Sequence, residues 1–229
     1  MPAHRVPTSA WVGVLVVSLV VGLGPPWWAE ARRAAAYPVS ADDLAAARAA
    51  LASMPVRAPD PDTGYTRERF GQAWADVDGN GCDTRNDVLA RDLVDVRLDA
   101  DGCVVLAGTL VDPYSGMTFA FARGPTSSLV QIDHVVALAD AWRTGAQAWP
   151  AARRLAFAND PANLQAVSGK ANQDKGAADA SVWLPAGYGC VYVLRQLRVK
   201  AAYGLWLTPD EREAAAQALD RCVVVRTGR

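Results

Sequence analysis

The chain of 229 residues contains two histidines, His4 and His134, and His4 lies just ahead of an apolar run near the start. Beyond that run, a single imidazole must carry any histidine chemistry. Multi-histidine zinc sites and H-E-x-x-H proteases are excluded on this count alone. The sequence also has no G-x-S-x-G elbow, no phosphate-binding glycine-rich loop and no dinucleotide fingerprint. His134 directly follows Asp133 at the end of the apolar segment 129–132, and Asn163 and Asn172 lie downstream. Adjacent side chains on a strand point to opposite faces. At a strand end that alternation relaxes, so the carboxylate and the imidazole are expected to address one cleft. A hairpin packed on a helix would bring Asp133, His134 and Asn172 together. Two oxygen ligands and one imidazole converging on a point are what single-cation phosphodiester hydrolysis requires: a cation for developing charge and a base for water.

The elements expected to position these residues follow from local pattern. Segment 129–132 reads as a short strand and 164–167 as a second, with a turn at 160–163 and a polar helix over 168–178. Upstream, 95–99 and 103–110 flank the turn Ala100-Asp101-Gly102, and 117–122 alternates as a further strand. Helices are expected over 40–53, capped by Ser40, and over 67–74, 86–93, 137–149, 151–158 and 188–205. A last helix starts at Thr208, where Glu211 completes a capping box, and ends near Cys222. The order is that of an α+β domain.

Composition bounds the partners. The formal net charge is −1 and half the residues are hydrophobic, so contact with nucleic acid must come from local clusters of Arg and Lys. The apolar run 11–23, followed by Pro25 and Pro26 and then by Ala34-Ala35-Ala36, reads as a signal peptide over 1–36 with cleavage before Tyr37. Membrane anchoring by the same run is the less favoured alternative. Residues 37–64 then form an N-terminal helix and linker, and 65–229 the main domain. Four cysteines, Cys82, Cys103, Cys190 and Cys222, suit disulfides in an oxidising compartment, and no C-x-x-C pair seeds a zinc site. Three pairings are open. The sequential one would close two moderate loops, each stabilising by about 3 kcal/mol.

Three ordered words complete the central pattern: Asp133-His134-Val135-Val136, Asn163-Leu164-Gln165-Ala166-Val167 and Asn172-Gln173-Asp174-Lys175-Gly176. Together they resemble the H–N–N variant of the HNH nuclease motif. The wider pattern is similar to secreted actinobacterial HNH-family proteins, whose nuclease region resembles the C-terminal domain of GmrSD-type restriction enzymes. It includes Gly81-Cys82-Asp83-Thr84-Arg85, Asp112-Pro113-Tyr114-Ser115-Gly116, Ala141-Trp142-Arg143-Thr144-Gly145-Ala146 and Phe157-Ala158-Asn159-Asp160, and covers residues 65–203. The resemblance implies a ββα-metal (His-Me finger) core with an added N-terminal β/α lobe and C-terminal helices. It implies His134 as general base, Asp133 and Asn172 as ligands of a single divalent cation, and Asn163 as the brace of the loop between the strands. Lys175, on the helix face of Asn172, is expected to meet a phosphate. Asn172 stands where another variant carries His, which favours Mg²⁺ or Mn²⁺ over Zn²⁺. Ala137 replaces a common proline, which bears on loop stiffness.

The expected protein is thus an exported, monomeric endonuclease, acting on DNA rather than RNA and using no organic cofactor. With His134 as its base, activity is expected to rise through about pH 6–7. Arg85 and Arg91 are candidate phosphate contacts, or else partners of Asp83, Asp87 or Asp92. Trp74, Trp142, Trp149 and Trp183 are expected in the core. Asp76, Asp78, Asn80 and Asp87 nearly match a calcium loop, against which an Asx-rich turn leading into a helix is preferred. Two other function classes stay open: a catalytically silent nucleic-acid-binding module, and a calcium-stabilised structural protein.

Overall fold

The computed structural model describes residue 32 and residues 34–225; the apolar run of the expected leader lies outside them. Helix α1 (Ala41–Ser53) is capped by Ser40, whose hydroxyl accepts from the Asp43 amide. After a long irregular segment come α2 (Thr84–Asp92), β1 (Val94–Leu98), β2 (Val105–Val111) and β3 (Thr118–Ala122), the three strands forming an antiparallel sheet in that order. Then β4 (Val130–His134), α3 (Leu138–Arg143), α4 (Ala151–Ala158), β5 (Leu164–Ser168) and α5 (Gly169–Lys175) build the central region. Helices α6 (Gly189–Tyr203) and α7 (Pro209–Asp220) complete the chain. The capping box of Thr208 and Glu211 is present.

The central feature is the β4–β5 hairpin, paired without irregularity from Val130↔Ser168 to His134↔Leu164 and followed at once by α5. It sits where three apolar clusters meet. Val130, Ile132, Leu164 and Ala166 join α2 and the three-stranded sheet. Val135 and Val167 join the cluster of α1, α6 and α7. Val136 joins Phe70, Trp142 and Phe157. Helix α1 therefore shares a core with the C-terminal helices. The following segment is held too, with Val56 bridging Leu207 and the Asp60 amide donating to the Arg143 carbonyl at 2.8 Å.

Two expected helices are shortened. Residues 67–74 hold only the 3₁₀ turn Arg67–Phe70. The run 137–149 divides into α3 and the 3₁₀ turn Ala146–Ala148, because Gly145 adopts φ +134°, outside helical space. At Gly169 the constraint is space. A Cβ there would lie 2.5 Å from the Ser128 carbonyl oxygen, so the first turn of α5 approaches the start of β4 as only glycine permits.

The cysteines pair sequentially, Cys82 with Cys103 and Cys190 with Cys222. The first ties the loop before α2 to the sheet, and the second fastens the start of α6 to the segment after α7. With its cysteines 32 positions apart, the second bridge constrains the unfolded chain by about 3–4 kcal/mol. Replacing Cys190 and Cys222 by serine is expected to lower stability by that order in urea unfolding. A loss under about 1 kcal/mol would show that the helices hold without it.

Candidate active site

The backbone following β4 is clamped at every polar group. The His134 carbonyl accepts from Lys175 Nζ at 2.8 Å. The Val135 amide donates to the Asn163 carbonyl at 2.7 Å, and the Val135 carbonyl accepts from Tyr192 Oη and Gln196 Nε2. The Asn163 side chain spans the Val136 peptide groups, its Oδ1 accepting from the amide at 2.8 Å and its Nδ2 donating to the carbonyl at 3.3 Å. Buried backbone groups need such partners, and Asn163, itself fully buried, supplies two of them.

His134 is 8% exposed, and its Nε2 lies 2.8 Å from the Ala158 carbonyl oxygen at the end of α4. A carbonyl has no proton to give, so Nε2 carries the hydrogen and Nδ1 keeps its lone pair. Burial lowers the pKa of the ring to about 4; the Ala158 hydrogen bond opposes this, while the charges of Arg67 and Lys175 add to it. The ring lines a cleft of 340 Å³ with Arg67, Glu68, Phe70, Trp74 and Leu138 among its walls.

Asp133 points the other way. Strand pairing runs through His134↔Leu164, so the alternation of side chains holds to the last residue of β4 and does not relax. The carboxylate receives Tyr114 Oη at 2.6 Å on Oδ2 and Lys175 Nζ at 2.8 Å on Oδ1. Burial and the Asp133 charge raise the Tyr114 phenol well above its usual range, leaving it a donor. The expected single cleft of Asp133 and His134 is replaced by two environments on opposite faces of one strand. Asn172 shares the Asp133 face: its Nδ2 donates to Gln131 Oε1 at 2.9 Å, and Gln131, two residues before Asp133 on β4, lies on the same face as the carboxylate. Lys175, expected to reach a phosphate, has a side chain of 0% exposure and is committed to Asp133.

A divalent cation is therefore tested against the donors. Gln131, Asp133 and Asn172 are hard-oxygen residues of the right chemistry. As arranged they do not fit one, because both Asp133 oxygens are engaged and the Lys175 ammonium already neutralises the carboxylate. The buried acidic cluster of Asp140, Asp179 and Glu211 fits no better. Lys200 Nζ lies 3.0 Å from Asp140 and 2.7 Å from Glu211 and fills the place a cation would take. In the loop before α2, Asp76 accepts the Gly79 and Gly81 amides, Asp78 the Asn80 amide and Asn80 Oδ1 the Cys82 amide, as an Asx-rich turn does. Its fourth expected calcium ligand, Asp87, accepts from Asn80 Nδ2 at 3.2 Å. These oxygens face the loop's own N–H groups.

The two candidate phosphate-binding arginines are also occupied. Arg91 pairs with Asp92 at 2.7 Å and donates to the Pro161 and Leu164 carbonyls, tying α2 to the start of β5. Arg85 reaches toward the Val130 carbonyl. Of the four tryptophans expected in the core, Trp142 is buried among Phe70, Phe157 and Leu138, whereas Trp74 forms part of the cleft wall over His134. Arg67 and Trp74 carry no motif that would single them out in sequence.

Residues 83–218 match the family described as GmrSD restriction endonucleases, C-terminal domain. The match covers more than half of the chain, and the protein belongs to this family of nuclease-like domains. An "Uncharacterized secreted protein" of Arthroderma benhamiae (strain ATCC MYA-4681 / CBS 112371) is 36% identical over 189 residues, covering 81% of this chain and 89% of the relative. That relative is fungal. No solved structure matches the chain.

Lys175→Met is expected to destabilise the protein by about 3–5 kcal/mol in urea unfolding, because a buried carboxylate loses its countercharge. Adding Asp133→Leu to that variant should recover much of the loss; no recovery would show that the carboxylate is not the cause. With Asp133 so engaged, Mg²⁺ or Mn²⁺ should leave the Tm unchanged. A rise of several degrees that Asp133→Asn abolishes would mean that Lys175 yields to a cation.

Proposed function

We propose that the protein is an exported endonuclease of the HNH type that hydrolyses phosphodiester bonds of nucleic acid, DNA before RNA, with His134 as general base. The observation that carries this reading is the state of His134: a neutral ring, fixed by Ala158 and by the clamped backbone after β4, lining an open cleft with Nδ1 free of its proton. Family membership, the β4–β5–α5 unit and the Asn163 brace support it. Two disulfides, a relative described as secreted and the apolar leader fit an extracellular location. Among the described residues, no helix is long and apolar enough to cross a membrane.

In the proposed reaction, water gives a proton to His134 Nδ1 as its oxygen attacks phosphorus. The bond to the leaving alkoxide breaks and the alkoxide takes a proton from solvent water, giving a phosphomonoester and a free hydroxyl, while the imidazolium returns its proton to solvent to restore the base. The imidazolium formed would donate from Nε2 to the Ala158 carbonyl, a charge-assisted hydrogen bond. Nucleases usually need a divalent metal, which would stabilise the charge that develops on the phosphate oxygens. As arranged, Asp133 and Asn172 do not hold such an ion, and a Mg²⁺ or Mn²⁺ there would require Lys175 to leave Asp133. Every step above rests on His134 alone.

The decisive assay is nucleic-acid cleavage by the disulfide-bonded protein with Mg²⁺, Mn²⁺ or EDTA, beside His134→Ala. A loss of at least 100-fold in the variant is expected. Equal cleavage by both proteins would remove His134 from the reaction, and silence of both on DNA and RNA would favour a binding module. The groups facing the ring are Arg67 and Glu68 across the cleft and Lys175 behind the strand, and the ring's pKa of about 4 replaces the sequence-based expectation of pH 6–7. The base is active when neutral. kcat/KM, which reports the free protein, should therefore be flat from pH 8 to about 5 and fall as the pH drops through about 4. An acid limb near pH 6.5 would show the ring in contact with water in the working protein.

A further inference from the structure

The 340 Å³ cleft is of the order of a small-molecule site, about 300–1,000 Å³. Its composition is uneven. Phe70, Trp74, Leu138 and Ala158 give it apolar walls, and Arg67 and Glu68 stand at its edge. Arg67 is exposed and has no ion-pair partner among the described residues. Its charge nonetheless reaches the His134 ring. Glu68, by contrast, is turned back on its own turn, accepting from its own backbone and from Thr66.

Trp74 has two further properties. Its φ is +60°, a left-handed backbone that a bulky residue rarely adopts and that persists only where neighbours impose it. Those neighbours are visible. Thr84 Oγ1 donates to the Ala75 carbonyl, and Asn159 Nδ2 donates to the Gln72 carbonyl at 3.2 Å. The indole is thereby held nearly parallel to the imidazole, at an interplanar angle of 17° and a centroid distance of 6.4 Å. A half-buried aromatic plane, a free guanidinium and the His134 imidazole thus border one small cleft.

We propose that this cleft is a subsite for one nucleotide of a single strand, with Arg67 on a backbone phosphate and the Trp74 indole stacked on a base. The proposal rests on the nuclease reading of His134 and adds its substrate class. A guanidinium matches phosphate geometry and charge, and aromatic faces stack on bases without regard to sequence. A base in a duplex is covered on both faces by its neighbours and must leave the stack to meet an indole. Single strands meet that condition at far lower cost, so the cleft selects for them.

The test is fluorescence anisotropy of a short labelled oligothymidylate and of its duplex with oligodeoxyadenylate, in the disulfide-bonded His134→Ala protein so that nothing is cleaved. The single strand should bind about tenfold or more tightly than the duplex. Arg67→Gln and Trp74→Ala should each weaken single-strand binding by about tenfold, and Trp74→Phe, which keeps a stacking face, by far less. Arg67→Glu, on an exposed side chain, should abolish binding while leaving the melting temperature in place. Single-strand affinity unchanged by both Arg67→Gln and Trp74→Ala, or duplex bound as tightly as single strand, overturns the proposal. The two readings fail separately. Cleavage lost in His134→Ala but normal in Arg67→Gln and Trp74→Ala removes the subsite and keeps the nuclease. Binding that depends on Arg67 and Trp74, with no cleavage by the protein carrying His134, keeps the subsite and removes the nuclease.

Discussion

A lysine with no exposure to water has to be neutralised or the structure cannot form, and the ion pair of Lys175 with Asp133 is the constraint on which the site depends. The ammonium makes a second contact, to the His134 carbonyl. One side chain at the end of α5 thereby fixes both the side chain of residue 133 and the backbone of residue 134. At its other end α5 is held by the close approach of Gly169 to Ser128, so the helix spans the hairpin with both ends pinned. Buried pairs of this kind add little net stability beside an apolar packing of the same volume, but they are costly to break. Their effect is to permit one arrangement of strand against helix.

Lys200 shows what a different stoichiometry does. It serves two carboxylates, Asp140 on α3 and Glu211 on α7, with Asp179 nearby. One positive charge against two buried negative ones leaves an excess, and burial raises Glu211 to about 7 even with the ammonium bound. A raised carboxyl is most stabilising when protonated, so its contribution is lost as the pH rises through about 7. Lys175 faces a single carboxylate already shared with the neutral Tyr114 phenol, and the charges balance. The two lysines tie α5 to β4, and α6 to α3 and α7, so electrostatics outlines the layers that the three apolar clusters fill.

The pattern of residues made much of this legible. The two strands and the helix after them follow from short apolar runs flanked by turn residues, whereas their register, which runs on to His134↔Leu164, does not. The ordered words around them pointed to the family. What those words do physically was not readable. In Phe157-Ala158-Asn159-Asp160, the Ala158 carbonyl orients the imidazole and Asn159 holds the loop that carries Trp74. In Asp112-Pro113-Tyr114, the phenol reaches Asp133 across 19 residues of sequence. Such contacts depend on how separate elements dock, which periodicity does not encode. The expectation of one shared cleft failed for a local reason: Leu164 pairs with His134, so the strand does not end where its chemistry begins. Arg67 and Trp74 were hidden because an exposed arginine and a half-buried tryptophan are ordinary residues until a fold sets them beside a histidine.

The opposite faces of β4 also explain how a recessed histidine can be held so firmly and still line a cleft. The Asp133 face is closed, with each oxygen of the carboxylate donated to and its cation out of water. That face needs no substrate, and its effect on His134 passes through the backbone, by way of Lys175 and the clamped peptides of Val135 and Val136. The opposite face is left for the ring, which is tethered at Nε2 and lines the cleft. Burial that keeps the ring neutral makes it a weak base in the free protein, since a base works best with a pKa near the working pH. In the proposed reaction, an anionic phosphodiester entering the same cleft would bring the countercharge the ring lacks and raise the affinity of Nδ1 for a proton at the moment a proton is to be taken. On that proposal a ring kept neutral by burial in the free protein would gain basicity only with the substrate's charge beside it.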